Sequence, residues 1–168
     1  MEKSSGILVY RFKKGELQVL LGKCGGPAWA KINKGAWNIP KGHIENDENI
    51  LETAKREFYE ETNLILPEDE IKDIDYLYLG ESTTKSRKHV FIYAIQYDFT
   101  APYQEDNVII HSNLCETEWP KKSGNIIQIP ELSEARYFNI DKAKEYIFSY
   151  QKIFLDRLIE QLVMENDK

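Results

Sequence analysis

Cysteine is scarce in this chain: Cys24 and Cys115 are the two present in 168 residues. They lie far apart and form no C-x-x-C pair. We therefore expect free thiols and a cytoplasmic chain rather than a disulfide framework. Long apolar runs are also missing. Arg11, Lys13 and Lys14 interrupt the opening segment MEKSSGILVYRFKKGELQVLL, so no signal peptide is expected. No run approaches the roughly 20 residues that a membrane span needs. Positive charge is in deficit, with 22 Lys and Arg against 28 Asp and Glu and a net charge of −6. That balance excludes a global basic footprint for nucleic acid and a polybasic membrane anchor, but leaves room for a local phosphate pocket. Internal repeats, low-complexity tracts and linkers are absent too.

What remains has the composition of a soluble globular protein, 42% apolar and 30% charged. The length predicts a single domain over residues 1–168, large enough to bury about 70% of its unfolded surface. GILVYRF and ELQVLLG read as strands of a hairpin turning at Lys13, Lys14 and Gly15. WNIP reads as a short extended piece, since the residue before Pro40 is pushed toward β. DYLYLG, HVFIYAIQYDF, IIQI and ARYFNI read as further strands, and the polar stretch 101–125 as loop. From about Asp141 the tail is helical, with Phe154, Leu155, Leu158, Ile159 and Leu162 forming a stripe that docks on a core. Strands, one mid-chain helix, more strands and terminal helices make an α+β protein with helices packed on a mixed sheet.

The mid-chain helix holds the chemistry. In GHIENDENILETAKREFYEETNL, Asn49 is a good N-cap, with Glu52 placed as in a capping box. Asn63 suits the left-handed residue after the last turn. The helix is predicted over Ile50 to Thr62. At about 100° per residue, Glu57, Glu60 and Glu61 share one sector beside the apolar stripe of Ile50, Leu51, Ala54 and Phe58. An E-x-x-E-E run is ordinarily a solvated acidic face. Carboxylates crowded at the edge of a buried stripe instead raise one another's pKa unless a cation neutralises them. A hard divalent cation such as Mg²⁺, which takes a few carboxylates plus substrate phosphates, meets that need.

Gly42, Glu48, Arg56-Glu57, Glu60-Glu61 and Leu64 stand at the spacings of G-x5-E-x7-R-E-U-x-E-E-x-G-U, where U is bulky and aliphatic. The window resembles the Nudix box. Phe58 replaces an aliphatic residue, and Asn63 replaces the closing glycine, which little affects a left-handed position. The approach segment WNIPKGH is similar to that of Nudix hydrolases, including those of diadenosine tetraphosphate. EWPKKSG, IPE, YFNI and QKIFLDRL resemble a bacterial Nudix subgroup described as predicted NTP pyrophosphohydrolases. The resemblance implies a Nudix α/β/α sandwich with a central mixed sheet. It also implies metal-dependent hydrolysis of a phosphoanhydride in a nucleoside diphosphate linked to another moiety, with Mg²⁺ or Mn²⁺ as cofactor.

Carried over residue by residue, Glu57, Glu60 and Glu61 would bind metal, with the Gly42 carbonyl as a further ligand. Arg56 would orient a box glutamate, and Glu48 would support that arrangement or bind an additional metal. The general base would be a box glutamate or one on a distant loop; Glu118 is the loop candidate, with Glu116 and Glu105 behind it. Lys41 is the favoured phosphate contact among Lys41, Lys85, Arg87, Lys88, Lys121 and Lys122, and His43 could touch phosphate or leaving group. Trp29, Trp37 and Trp119 could stack a base; Trp37 reads better as core, leaving Trp29, in a Gly-rich loop, as the stacking candidate. GKCGGP lacks P-loop spacing and reads as a turn-rich connection. The expected partner is a nucleotide, a nucleoside triphosphate or dinucleoside polyphosphate ahead of ADP-ribose-like sugars and diphosphoinositols. Monomer and homodimer both stay open. The competing reading is a nucleotide-binding or regulatory module that keeps the fold without the activity; mRNA decapping is disfavoured by the absence of a basic stripe.

Overall fold

The computed structural model describes residues 2–101 and 104–166. β1 (Lys3–Lys13) and β2 (Glu16–Cys24) form the expected hairpin. Its two-residue turn, Lys14-Gly15, has φ of 53° and 79°. Positive φ at both central positions belongs to the hairpin turn whose twist matches its flanking strands. The two strands pair only near this turn, from Tyr10↔Val19 to Lys13↔Glu16. Farther on they part. β3 (Trp37–Asn38) pairs with Gly22 and Lys23 of β2, and β4 (Lys41–His43) with Ser4, Ser5 and Gly6 of β1. This notch, filled by WNIPKGH, is where the acidic helix meets the sheet.

α1 (Ile50–Thr62) has the bounds predicted. Asn49 Oδ1 accepts from the Glu52 N–H at 2.8 Å. Asn63 adopts φ 60° and its N–H donates to the Tyr59 carbonyl. The carbonyls of Glu60 and Thr62, which a helix end leaves without intrahelical donors, accept from the N–H groups of Asn113 and His111 at 3.0 and 3.1 Å.

β5 (Leu77–Thr83) is antiparallel to β6 (His89–Gln96), which runs parallel to β1. On the other side, β10 (Leu132–Asn139) pairs antiparallel with β2 and carries β7 (Asn107–Val108). The main sheet is therefore mixed, in the order β5-β6-β1-β2-β10-β7, with β3 and β4 in the notch. β8 (Leu114–Glu118) and β9 (Ile126–Pro130) form a separate two-stranded hairpin. Stretch 101–125 is thus not simply loop: it contains β7 and β8. β8 has no apolar alternation to announce it, because it pairs only with β9 and Leu114 itself is exposed.

Side-chain alternation along β1 divides the core. Ile7 and Val9 pack with Ala54 and Phe58 of α1. Leu8 and Tyr10 pack with Ala143 of α2 (Ile140–Tyr146) and with Phe154, Leu155 and Leu158 of α3 (Lys152–Asn166). One helix on one face and two on the other make the expected α/β/α sandwich, and the stripe on the last helix docks into the core. Among the described residues no helix is long and apolar enough to cross a membrane.

Candidate active site

β4 passes the C-terminal half of α1 so closely that the Glu57 carboxylate occupies the space a Cβ on residue 42 would take, and Gly42 leaves that space free. One residue earlier, the Lys41 N–H donates to Glu61 Oε2 at 3.0 Å. These contacts place Glu57 and Glu61 over the notch, in a cleft of about 280 Å³. Glu60, Lys41, Gly42 and His43 share its lining, with Lys88 and Thr84 from the β5–β6 turn and Ser4 from β1. Val90, Asn113, Glu131 and Tyr150 complete the wall.

Glu61 is only 5% exposed. Burial pushes its carboxyl up to about 8, Glu131 and Glu57 push the same way, and the Lys41 charge and N–H oppose them. Glu57 is half-buried; burial and then Glu60 raise it, against Arg56. Glu60 is exposed. Arg56 binds Glu48 bidentately, Nε to Oε2 at 3.0 Å and Nη2 to Oε1 at 2.9 Å. Its Nη1 reaches Glu57 Oε1 and Glu60 Oε1, each at 3.0 Å, and Nη2 the His43 carbonyl at 3.0 Å. One guanidinium thereby ties three carboxylates to the backbone beside Gly42. Glu48 faces Arg56 rather than the cleft, and that hydrogen bond above all holds its carboxyl down near 2.

Two other candidates stand elsewhere. Glu118 is not among the cleft-lining residues; its carboxylate accepts from the Lys122 and Gly124 N–H groups at 2.6 and 3.2 Å, closing its own hairpin loop. Trp29 also lies outside the lining and packs against Phe148, with ring centroids 5.8 Å apart. Trp37 is core, as expected, at 2% exposure. Lys88 lines the cleft, with its Nζ 3.3 Å from Glu2.

Glu131 was missed by sequence reasoning. It sits between β9 and β10, where its N–H donates to the Asn113 carbonyl and its carbonyl accepts from Gly25. Tyr150, in the turn before α3, was also missed. The only sequence signal for Glu131 was the short IPE segment at the end of a strand; for Tyr150 there was none.

The donor types suit a hard divalent cation: buried and half-buried carboxylates, a backbone carbonyl at Gly42, and a raised Glu61 pKa that a cation would reverse. As arranged here, Glu57 and Glu60 lean toward Arg56, and among the described residues no three His, Cys, Asp or Glu side chains converge on one point.

A family model for the NUDIX domain matches residues 2–158. The chain belongs to the Nudix family. With membership comes the broad activity: it is a Nudix pyrophosphohydrolase. Comparison with curated proteins returned no match. Among solved structures, the C. elegans Ap4A hydrolase in a binary complex is 18% identical, with 97% of this chain and 98% of that chain covered and a TM-score of 0.56. The NUDIX domain of Shewanella oneidensis NrtR complexed with ADP ribose is 13% identical over 95% and 87%, with a TM-score of 0.60. A MutT protein from Methanosarcina mazei Go1 is 19% identical over 99% and 96%, with a TM-score of 0.54. At these identities the neighbours speak for the fold of this Nudix chain.

Proposed function

We propose that this Nudix chain hydrolyses, with a divalent cation, a phosphoanhydride bond in a nucleoside triphosphate or dinucleoside polyphosphate. The observation that carries the reading is the pairing of a nearly buried Glu61 with Glu57 against Gly42, in a cleft whose other walls bring Lys41 and Lys88. Glu57, Glu60, Glu61 and the Gly42 carbonyl would hold the cation, Mg²⁺ or Mn²⁺. When bound, it supplies neutralisation of phosphate charge and a lowered pKa for water. Lys41 and Lys88 orient the phosphates, and His43 lines the same cleft. Arg56 keeps Glu57 and Glu60 in place and is itself braced by Glu48 through charge-assisted bonds. Glu131 lines the cleft, where Glu118 does not. It takes over the loop-glutamate role, accepting the proton of the attacking water or adding a carboxylate to the cation site.

The test is product identification. The protein, with Mg²⁺, is given nucleoside triphosphates, dinucleoside polyphosphates, ADP-ribose-like sugars and a diphosphoinositol, and products are separated by ion exchange. Cleavage of one class, lost in Glu61→Gln, supports the reading. Nucleotide binding with no cleavage in either Mg²⁺ or Mn²⁺ would identify a binding module instead.

A further inference from the structure

The side of α1 turned away from its glutamates carries a second concavity. It holds about 400 Å³ between the helix and the chain that follows it, and shares no lining residue with the glutamate cleft. Phe58, Leu64, Leu66 and Tyr76 are its buried and half-buried walls, and the exposed Tyr59 and Ile65 complete it. Ile65 is 70% exposed, and Ile74, two residues before Tyr76, is 89% exposed. Exposed apolar groups gathered beside an apolar hollow mark an interaction surface, where the same groups scattered singly would not.

The charge around this groove is of one sign. Residues 64–75 carry five carboxylates and one lysine, a net −4 against −6 for the whole chain. Glu68 lines the groove, and Asp69, Glu70, Asp73 and Asp75 are exposed. The nearby lysines are already engaged. Lys55 Nζ lies 2.6 Å from Asp73 and 3.4 Å from Glu52, and Lys72 Nζ donates to the Glu68 carbonyl at 3.1 Å. Among the described residues no basic side chain pairs with the carboxylates of Glu68, Asp69 or Glu70.

We propose that this groove docks a basic amphipathic helix of a partner protein. Its apolar side chains seat between α1 and residues 64–66, and its Lys or Arg residues face Glu68, Asp69 and Glu70. Helix-in-groove recognition takes an apolar trough, and opposite charge at the rim sets the partner and speeds encounter. The same carboxylates repel an anionic membrane surface and nucleic acid. A second copy of this chain fits poorly. Its exposed segment Lys31-Ile32-Asn33-Lys34 has the matching chemistry, but it follows Trp29, which packs with the α2 and α3 core, whereas the groove belongs to the α1 side of the sheet. Copies would then meet head to tail, in open chains.

The test is fluorescence anisotropy on the full chain. The probes are a labelled model helix of leucine and lysine at helical spacing and its counterpart with glutamate for lysine. The leucine–lysine helix should bind saturably, at least about tenfold more tightly than the glutamate form, and should weaken as salt rises toward about 1 M. Ile65→Asn and Glu68→Lys, both at exposed positions, should each weaken it at least about fivefold, the scale of one interface anchor. Ile126→Asn, at an exposed isoleucine of β9, should leave it unchanged. None of these residues lines the glutamate cleft, so the hydrolysis proposed above should keep its rate in all three variants. No binding of the leucine–lysine helix, equal binding of both peptides, unchanged affinity in Ile65→Asn and Glu68→Lys, or an equal loss in Ile126→Asn overturns the proposal. Concentration-dependent self-association seen by sedimentation and lost in Ile65→Asn would give the groove to a second copy, and overturns it too.

Discussion

The Lys41 N–H donates to Glu61 Oε2 at 3.0 Å, joining strand β4 to the most buried acid of helix α1. That single bond is the polar support of a carboxyl whose burial raises its pKa to about 8. Glu61 is thus a destabilising residue in the metal-free fold, kept where its charge is useful.

The sign of this shift sets how stability depends on pH. A folded-state pKa above the unfolded value means the fold binds a proton more tightly. The associated stability is full below about 4.5 and is lost as pH rises through about 8. In chelator, Glu61→Gln should therefore melt higher than the unaltered protein at pH 9 and near it at pH 4. A shift of this size is worth a few kcal/mol, with about 2–4 °C for each in a domain of this length. Melting curves at the two pH values decide it. With Mg²⁺ and substrate the same variant should lose at least about 100-fold in kcat, the order of loss seen when an electrostatic stabiliser is removed.

Glu48 behaves oppositely. Arg56 holds its carboxyl near 2, below the ordinary 4.5. The contribution of this pair is present above about 4.5 and fades as pH falls toward 2. Urea midpoints taken from pH 6 down to pH 3 should decline less steeply in Glu48→Gln than in the unaltered protein. Parallel curves would show that the pair does not couple to folding.

Gly42→Ala places a methyl group into the Glu57 carboxylate. The Glu57 carboxylate, the far end of a flexible side chain, must swing aside, and it is one of the cleft-lining groups. We expect little loss of stability, below about 1 kcal/mol, because no backbone has to move. Turnover should fall by far more than the folded fraction does. Folded protein of normal activity would refute the close approach.

Gln151 supplies the partner of the Ile39 N–H in a fully buried position. Gln151→Leu leaves that donor unpaired, at a cost of about 1–3 kcal/mol, and frees Tyr150, whose Oη accepts from Gln151 Nε2 at 2.9 Å. Denaturant midpoints should drop accordingly, whereas Gln151→Glu, which retains an acceptor, should lose less when assayed near pH 6.

α1 was legible from end to end because its signals are local: Asn49 and Asn63 at its two ends, and an acidic sector three and four residues apart. The β1–β2 hairpin was legible for the same reason. Other features depend on contacts distant in sequence. Glu118 belongs to the polar stretch 101–125 and Glu131 follows the IIQI strand; only the β8–β9 and β2–β10 pairings turn the first back onto its own loop and carry the second to the cleft. Tyr150 reaches the site through a hydrogen bond that spans 112 residues, from Ile39 to Gln151. The Gly-rich loop suggested an open Trp29, but the ring finds Phe148 instead.

The central claim is that three helix glutamates are tolerated because they hold a cation. The most direct test is Mn²⁺ binding, followed by electron paramagnetic resonance at pH 8, in the unaltered protein and in Glu57→Gln and Glu61→Gln. Binding should be saturable and should weaken at least about tenfold in each variant, about 1.4 kcal/mol or more. Equal affinity in all three proteins would contradict it.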